Sequence, residues 1–300
     1  MEVCVDKYRK MIERCGIPGG DLYDIPTSGA TFPDGAHYRM EISGIDALPE
    51  MAALVDEKEK RNVPIHRVIC MGPGTHLLTS GELRELAQMG HDAQIEVIVL
   101  PGPRANHDIG KHTYSDWGKY SGVNVRGADN IRYFLYDVMR SIDAGIRGFL
   151  FYSEDLLWLF HQIRENDDLP QDLVYKVSYT QGFANPAGAK LLENLGADSL
   201  NPITDLTLPM LATLRKVLSI TLDIVVVSFE ILGVFNRFWE SPEIVRVSSP
   251  CYLKQELQPN VENARQKVRY CEILREIIGE HAPDLKLSEQ GPSDLRIPQP

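Results

Sequence analysis

The sequence predicts an α/β protein, a (β/α)8 barrel of the TIM type with an N-terminal extension and a long loop after the third strand. Three observations lead there. Apolar strand-like runs begin near Tyr38, His66, Ile95, Gly148, Val174, Asp198, Leu222 and Ile244. Each is followed by helical periodicity or, late in the chain, by a shorter crossover, and alternating strands and helices make a parallel sheet with right-handed connections. The strand starts are about 22–29 residues apart, with one gap of about 53, and the 300-residue chain is slightly longer than the ~250 residues usual for one such barrel. An open doubly wound sheet is the competing arrangement, but eight units and a closing helix fit the barrel without remainder. The expected organisation is an extension over 1–37, the barrel over 38–282 and a tail over 283–300.

In order, residues 3–14 read as an amphipathic helix, followed by a Gly/Pro-rich segment lying across one barrel end. The first strand, His37-Tyr-Arg-Met-Glu-Ile-Ser-Gly44, precedes a helix that begins at Asp46–Pro49 and presents Leu48, Met51, Leu54 and Val55 on one face. The second strand starts at His66 and ends in Gly72-Pro-Gly74, after which Thr79 and Glu82 form a capping box. The third runs into Pro101-Gly-Pro-Arg104 and the loop 101–127, before a helix carrying Ile131, Phe134, Leu135, Val138 and Ile142. The fourth is Gly148-Phe-Leu-Phe-Tyr-Ser-Glu154. The fifth leads to Asn185-Pro186, an N-cap followed by proline at the first helical position. The sixth is short. The seventh, Leu222-Asp-Ile-Val-Val-Val, is the near-continuous apolar run of a buried parallel strand. The eighth is expected over Ile244–Lys254, and its closing helix places Val261, Ala264, Val268, Cys271, Leu274 and Ile278 on one stripe. The tail, with four prolines, reads as loose.

A net charge of −11 argues against a general binder of nucleic acid or anionic membranes. The five cysteines are scattered without a CxxC, which favours a reducing compartment and leaves no iron–sulfur ligand set. The longest apolar run is too short to span a bilayer, and the N-terminus lacks the pattern of an export signal, so a cytoplasmic location is expected. Nucleotide-binding glycine motifs, HExxH and GxSxG are absent, and no nucleotide cofactor is expected.

In a barrel of this kind the active site forms at the C-terminal ends of the strands. The polar residues expected there are Glu41, Arg104, Glu154, Tyr179, Gln181, Asn185, Asn201, Glu230, Tyr252 and Lys254. Glu41, Glu154 and Glu230 suit two roles: oxygen ligands for a divalent metal such as Mg or Mn, or a general base whose pKa burial raises. For Glu154 the plainer alternative is a favourable charge in the first turn of a helix. Lys254 suits an anion anchor, a general acid or a Schiff-base nucleophile. Arg104, on a stiff Pro-Gly-Pro-Arg turn, suits a clamp for a carboxylate. The loop 101–127 concentrates basic residues and aromatics in an acidic chain. It fits a lid, with His107 in contact with substrate and His107 and His112 as acid–base groups or metal ligands, or a contact between subunits of a homo-oligomer.

Ser178-Tyr-Thr-Gln-Gly-Phe-Ala-Asn185, Leu191-Leu-Glu-Asn-Leu-Gly-Ala197 and Asp205-Leu-Thr-Leu208 together resemble the barrel domain of the collagenase-like U32 peptidases. The resemblance implies a barrel, mouth positions at Gln181, Asn185 and Glu230, and a hydrolase as one functional alternative. The family's cysteine cluster has no counterpart after Glu230. The leading expectation is an enzyme acting on a small anionic metabolite, a carboxylate or phosphate, by proton abstraction or lyase-type (aldolase-like) cleavage. A peptidase-like hydrolase and a non-catalytic binding or assembly subunit are the alternatives.

Overall fold

The computed structural model describes residues 6–104, 115–116, 124–228 and 233–300. Its strands are β1 (Tyr38–Ile45), β2 (Arg67–Cys70), β3 (Glu96–Val99), β4 (Gly148–Phe151), β5 (Val174–Val177), β6 (Ser199–Leu200), β7 (Thr221–Ser228), β8 (Phe235–Asn236) and β9 (Cys251–Gln255). The helices are α1 (Asp6–Glu13), α2 (Leu48–Arg61), α3 (Ser80–Asp92), α4 (Gly127–Asp143), α5 (Glu154–Glu165), α6 (Pro186–Asn194), α7 (Leu208–Val217), α8 (Ser241–Ser248) and α9 (Val261–His281). Strands β1 to β7 pair in sequence order, and β9 closes the ring between β7 and β1, every pairing parallel. This is the expected (β/α)8 barrel; β8 is a short antiparallel addition to the end of β7.

Local signals in the sequence are realised in detail. The Thr79 hydroxyl accepts the Glu82 N–H at 3.3 Å while the Glu82 carboxylate accepts the Thr79 N–H at 2.7 Å. Asn185 caps α6 by accepting the Gly188 N–H at 3.0 Å, with Pro186 in the first turn. The eighth barrel strand is a correction. It begins at Cys251 rather than near Ile244, because Ser241–Ser248 is helical. Pro242 sits in the first turn, and the buried Ile244, Val245, Val247 and Ser248 follow the one-three-four spacing of a helix face rather than alternation.

Strand residues facing the helices form the main core, including Met40, Ile42, Val68, Val97, Phe149, Phe151, Val177 and Leu253. The lumen is built differently. Toward the N-terminal strand ends, Phe32 from the extension and Leu295 from the tail pack on Tyr252. Toward the other end, Ile69, Ile98, Leu100 and Leu150 form a small apolar layer. Between these layers lies a buried charged network. Arg67 donates to Glu96 through Nε, and its Nη1 reaches Ser199 Oγ at 3.1 Å, Asp223 at 3.3 Å and Glu41 at 3.4 Å, with the guanidinium stacked on the Tyr252 ring. Lys176 is ion-paired with Glu41 at 3.1 Å and with Asp223. Buried charges persist only when paired in this way.

The tail is not loose, contrary to the expectation from its prolines. It crosses the N-terminal end of the barrel. The Ser288 N–H donates to Tyr38 O, and Gln290 bonds both the N–H and the carbonyl of Ile65. The Arg296 N–H donates to Glu96 Oε1 at 3.0 Å, and Asp294 holds Arg39 through two contacts at 2.7 and 2.9 Å.

His66, just before β2, joins strand and tail. Its Nδ1 accepts the Met40 N–H at 3.0 Å, and its Nε2 lies 3.1 Å from the carbonyls of both Ser288 and Glu289. Those partners fix a neutral ring protonated on Nε2. Burial pushes its pKa down to about 4. The unfolded chain therefore binds more protons than the folded one between the two pKa values. The contribution is complete above the ordinary histidine pKa and is lost as pH falls toward 4, at most roughly 3 kcal/mol. Urea midpoints of wild type and His66→Gln at about pH 7 and about pH 4.5 should show a smaller acid loss in the variant. An identical acid loss would remove the assignment.

Candidate active site

At the C-terminal mouth a cavity of about 390 Å³ is lined by Ser43 and Asp46 after β1, Gly72 after β2, Arg104 after β3, Tyr152 after β4, Tyr179 after β5, and Lys254 with Glu256 at the end of β9. Six segments thus converge on one space, as the fold dictates.

Lys254 is the central group. It is 3% exposed, and its ammonium contacts Asn201 Oδ1 at 2.9 Å and the Glu256 carboxylate at 3.0 Å, 4.9 Å from the centre of the Tyr179 ring. Burial works against its charge, but Glu256 and Glu41 outweigh that penalty and hold its pKa above the ordinary lysine value. The amine is therefore a fixed cation. Asn201 is itself anchored, donating through Nδ2 to Asp223 O at 2.8 Å. Tyr179 donates to the other oxygen of Glu256 at 2.9 Å, and burial raises the pKa of its phenol. Arg104, also 3% exposed, donates to Gly72 O and lies over the Tyr152 ring at 4.7 Å; among the described residues no carboxylate pairs with it.

Asp46 accepts the Gly72 N–H at 2.7 Å. Burial outweighs that hydrogen bond and raises its pKa above the ordinary aspartate value, which makes its carboxylate a stronger base. Behind the wall, Lys267 on α9 donates to the carbonyls of Ser43 and Gly44. Gly44 has φ +70°, and a Cβ there would meet Leu257 O at 2.8 Å, so the turn that carries β1 into the mouth requires glycine.

The structure brings Lys254, Arg104, Tyr179 and Asn201 together as expected. Other predicted residues lie elsewhere. Glu41 is in the lumen below the cavity, paired with Arg67 and Lys176, which hold its pKa down against the opposing effect of burial. Glu154 is exposed in the first turn of α5, where its charge meets the helix dipole. Gln181 shares the Tyr179–Gln181 turn but does not line the cavity, and Asn185 is a helix cap. Tyr252 sits near the opposite end of the barrel, because the strand that carries it begins only at Cys251. Glu230 and His107 lie outside the described residues. Glu41 and Glu154 are not brought together as shared metal ligands: Glu41 is ion-paired in the lumen and Glu154 is on an exposed helix end. Among the described residues no group of three or more potential ligands could hold an ion. Sequence reasoning passed over Asp46, taken only as a helix start, and Glu256, whose i+2 spacing from Lys254 on a strand was the available signal.

No protein-family model and no curated protein matches the chain. Solved structures resemble it. Among them are the YdjI aldolase from Escherichia coli K12, at 13% identity and TM-score 0.48 over 83% of this chain and 93% of that one, and a thiamine phosphate pyrophosphorylase from Pyrococcus furiosus, at 11% identity and TM-score 0.47 over 81% and 98%. The U32 peptidase Mk0906 is similar at 16% identity and TM-score 0.42 over 68% and 74%. The barrel rests on the strand pairing of this chain itself. Membership of the U32 family does not follow from it, and the chemistry rests on this chain's own residues. Among the described residues no helix is long and apolar enough to cross a membrane.

Proposed function

We propose that the protein is an enzyme that binds a small carboxylate or phosphate metabolite in the mouth and abstracts a proton from carbon beside its carbonyl or carboxylate, with lyase-type bond cleavage as the natural extension. One observation carries the reading: a buried lysine held protonated on the wall of a cavity that also presents Arg104 and a carboxyl of raised pKa. In this reading Lys254 donates to the oxygen on which negative charge develops, and Arg104 holds the substrate's anionic group. Asp46 takes the proton, and the bonding electron pair moves onto the oxygen facing Lys254. A permanently charged Lys254 serves as an electrostatic donor rather than a Schiff-base nucleophile, which requires a free amine.

The test is exchange of carbon-bound hydrogen for deuterium in a panel of small 2-oxo acids, followed by proton NMR. Exchange by the wild type is expected to fall about 10²–10³-fold in Lys254→Met and comparably in Asp46→Asn. Exchange that survives in both variants, or its absence for every acid that binds, would sink the reading.

A further inference from the structure

A second cavity, of about 480 Å³, lies outside the barrel between α7 and residues 22–30 of the extension. It is at the C-terminal turn of α7, which leads into the start of β7, and so at the end of the barrel opposite the mouth. Its lining includes Arg215 and Lys216, the hydroxyl-bearing Thr27, Ser28 and Ser219, and the apolar Leu22, Pro26, Leu218 and Val247, but no acidic residue, in a chain that carries 42 acidic residues against 31 Lys and Arg.

Arg215 is the residue that needs explaining. It is 8% exposed; one guanidinium nitrogen donates to Leu218 O, and Nη1 has no partner. Glu193, which acts on Arg215 only through its field, is occupied by Lys190, Ser219 and Ile220. Capping a carbonyl uses one donor of five and leaves the positive charge uncompensated. A buried guanidinium without a counter-ion is costly, and an incoming oxyanion removes that cost. The opposite wall is held in place: the Leu22 N–H donates to Thr213 Oγ1 at 3.0 Å, the Ser28 N–H to Arg246 O at 2.8 Å, and Arg246 to Ile25 O at 2.9 Å.

We infer that this cavity is an anion-binding site, separate from the mouth, for a small molecule that joins a phosphate or carboxylate to an apolar body. Arg215 and Lys216 take the oxyanion, and Leu22, Pro26, Leu218 and Val247 cover the apolar part. The volume suits a ligand of that size. Because one wall is the extension and the other is α7, occupancy ties the extension to the barrel.

The experiment uses the full chain labelled with nitrogen-15 arginine, the Arg215 side-chain signal being assigned by its loss in Arg215→Lys. Phenyl phosphate should move that signal saturably, inorganic phosphate should move it more weakly, and uncharged benzyl alcohol should leave it in place. Gly29 lines the cavity and a Cβ there meets nothing within 4 Å, so Gly29→Leu adds bulk to that wall without a clash at its Cβ, and it should abolish the response. Lys216→Ala should weaken binding about threefold, and Lys254→Met should not change it. An Arg215 signal unmoved by phenyl phosphate, a response that persists in Gly29→Leu, or one that disappears in Lys254→Met would overturn the inference. The last outcome would assign the anion to the mouth instead.

Discussion

Arg67→Met is expected to destabilise the protein by about 3–5 kcal/mol, the range for removing one partner from a buried ion network. Arg67 reaches Glu41, Glu96 and Asp223 together. Without it, among the described residues Lys176 is the one cation left in ion-pair contact with Glu41 and Asp223, and Glu96 keeps its contact with the Arg296 N–H. Methionine retains much of the packing volume, so the loss is mainly electrostatic, and pH separates the two contributions. In the variant the stranded carboxyl groups have folded-state pKa values above their unfolded values, so the folded state gains protons as pH falls. The penalty should be full near neutrality and should shrink in mild acid, as the carboxyls protonate. Burial already raises the pKa of Asp223 in the intact network, which marks it as the first to do so. Urea denaturation of wild type and variant at about pH 8 and about pH 5 decides the matter. A penalty below about 1 kcal/mol at both would mean that the network contributes no net stability, as some buried ion pairs do not.

The network also shows what the sequence could and could not disclose. Its members are single charges inside apolar strands: Arg67 in His-Arg-Val-Ile-Cys, Glu96 in Ile-Glu-Val-Ile-Val, Lys176 in Val-Tyr-Lys-Val and Asp223 in Leu-Asp-Ile-Val. A parallel strand buried on both faces has no solvent side for such a residue, so each had to face the lumen or a partner. That inference was available strand by strand. The pairing was not, because Arg67–Asp223 joins residues far apart in sequence and depends on the register of the closed ring. The barrel was legible for the opposite reason: its evidence is local and repeats with each unit. At the mouth, Lys254, Arg104, Tyr179 and Asn201 could be placed because they follow clear strands. Tyr252 falls at the mouth only if Ile244-Val-Arg-Val belongs to the strand; that segment is helical, and a short apolar run carries too few turns to separate the two periods. Glu41 follows a clear strand too, but it lies beside Arg67 on β2, and its carboxylate pairs with Arg67 and Lys176 in the lumen, contacts that no local pattern discloses.

Removing residues 283–300 is expected to cost at least about 5 kcal/mol, the larger of the two stability effects and a major part of what holds a domain folded. Three losses add. Arg39, 1% exposed, loses Ser288 Oγ and both contacts with Asp294, and among the described residues Asp34 at 3.5 Å is the one carboxylate it keeps, so a buried guanidinium is left poorly paired. Leu295 leaves Phe32 and Tyr252, uncovering an apolar surface worth roughly 1.5–3 kcal/mol. His66 loses the carbonyls of Ser288 and Glu289, and Glu96 loses the Arg296 N–H, which opens the lower end of the charged network to water. Asp294→Asn serves as the graded control, since it keeps the chain in place and weakens only the pairing with Arg39. The expected order of denaturation midpoints is wild type, then Asp294→Asn, then the truncation. If the truncation unfolded within about 1 kcal/mol of wild type, the tail would be a passenger, and the N-terminal end of the barrel would have to be closed by Phe32 and its neighbours alone. The physical case runs the other way. The tail supplies buried partners to Arg39, His66 and Glu96 whose loss would leave those polar groups under-satisfied.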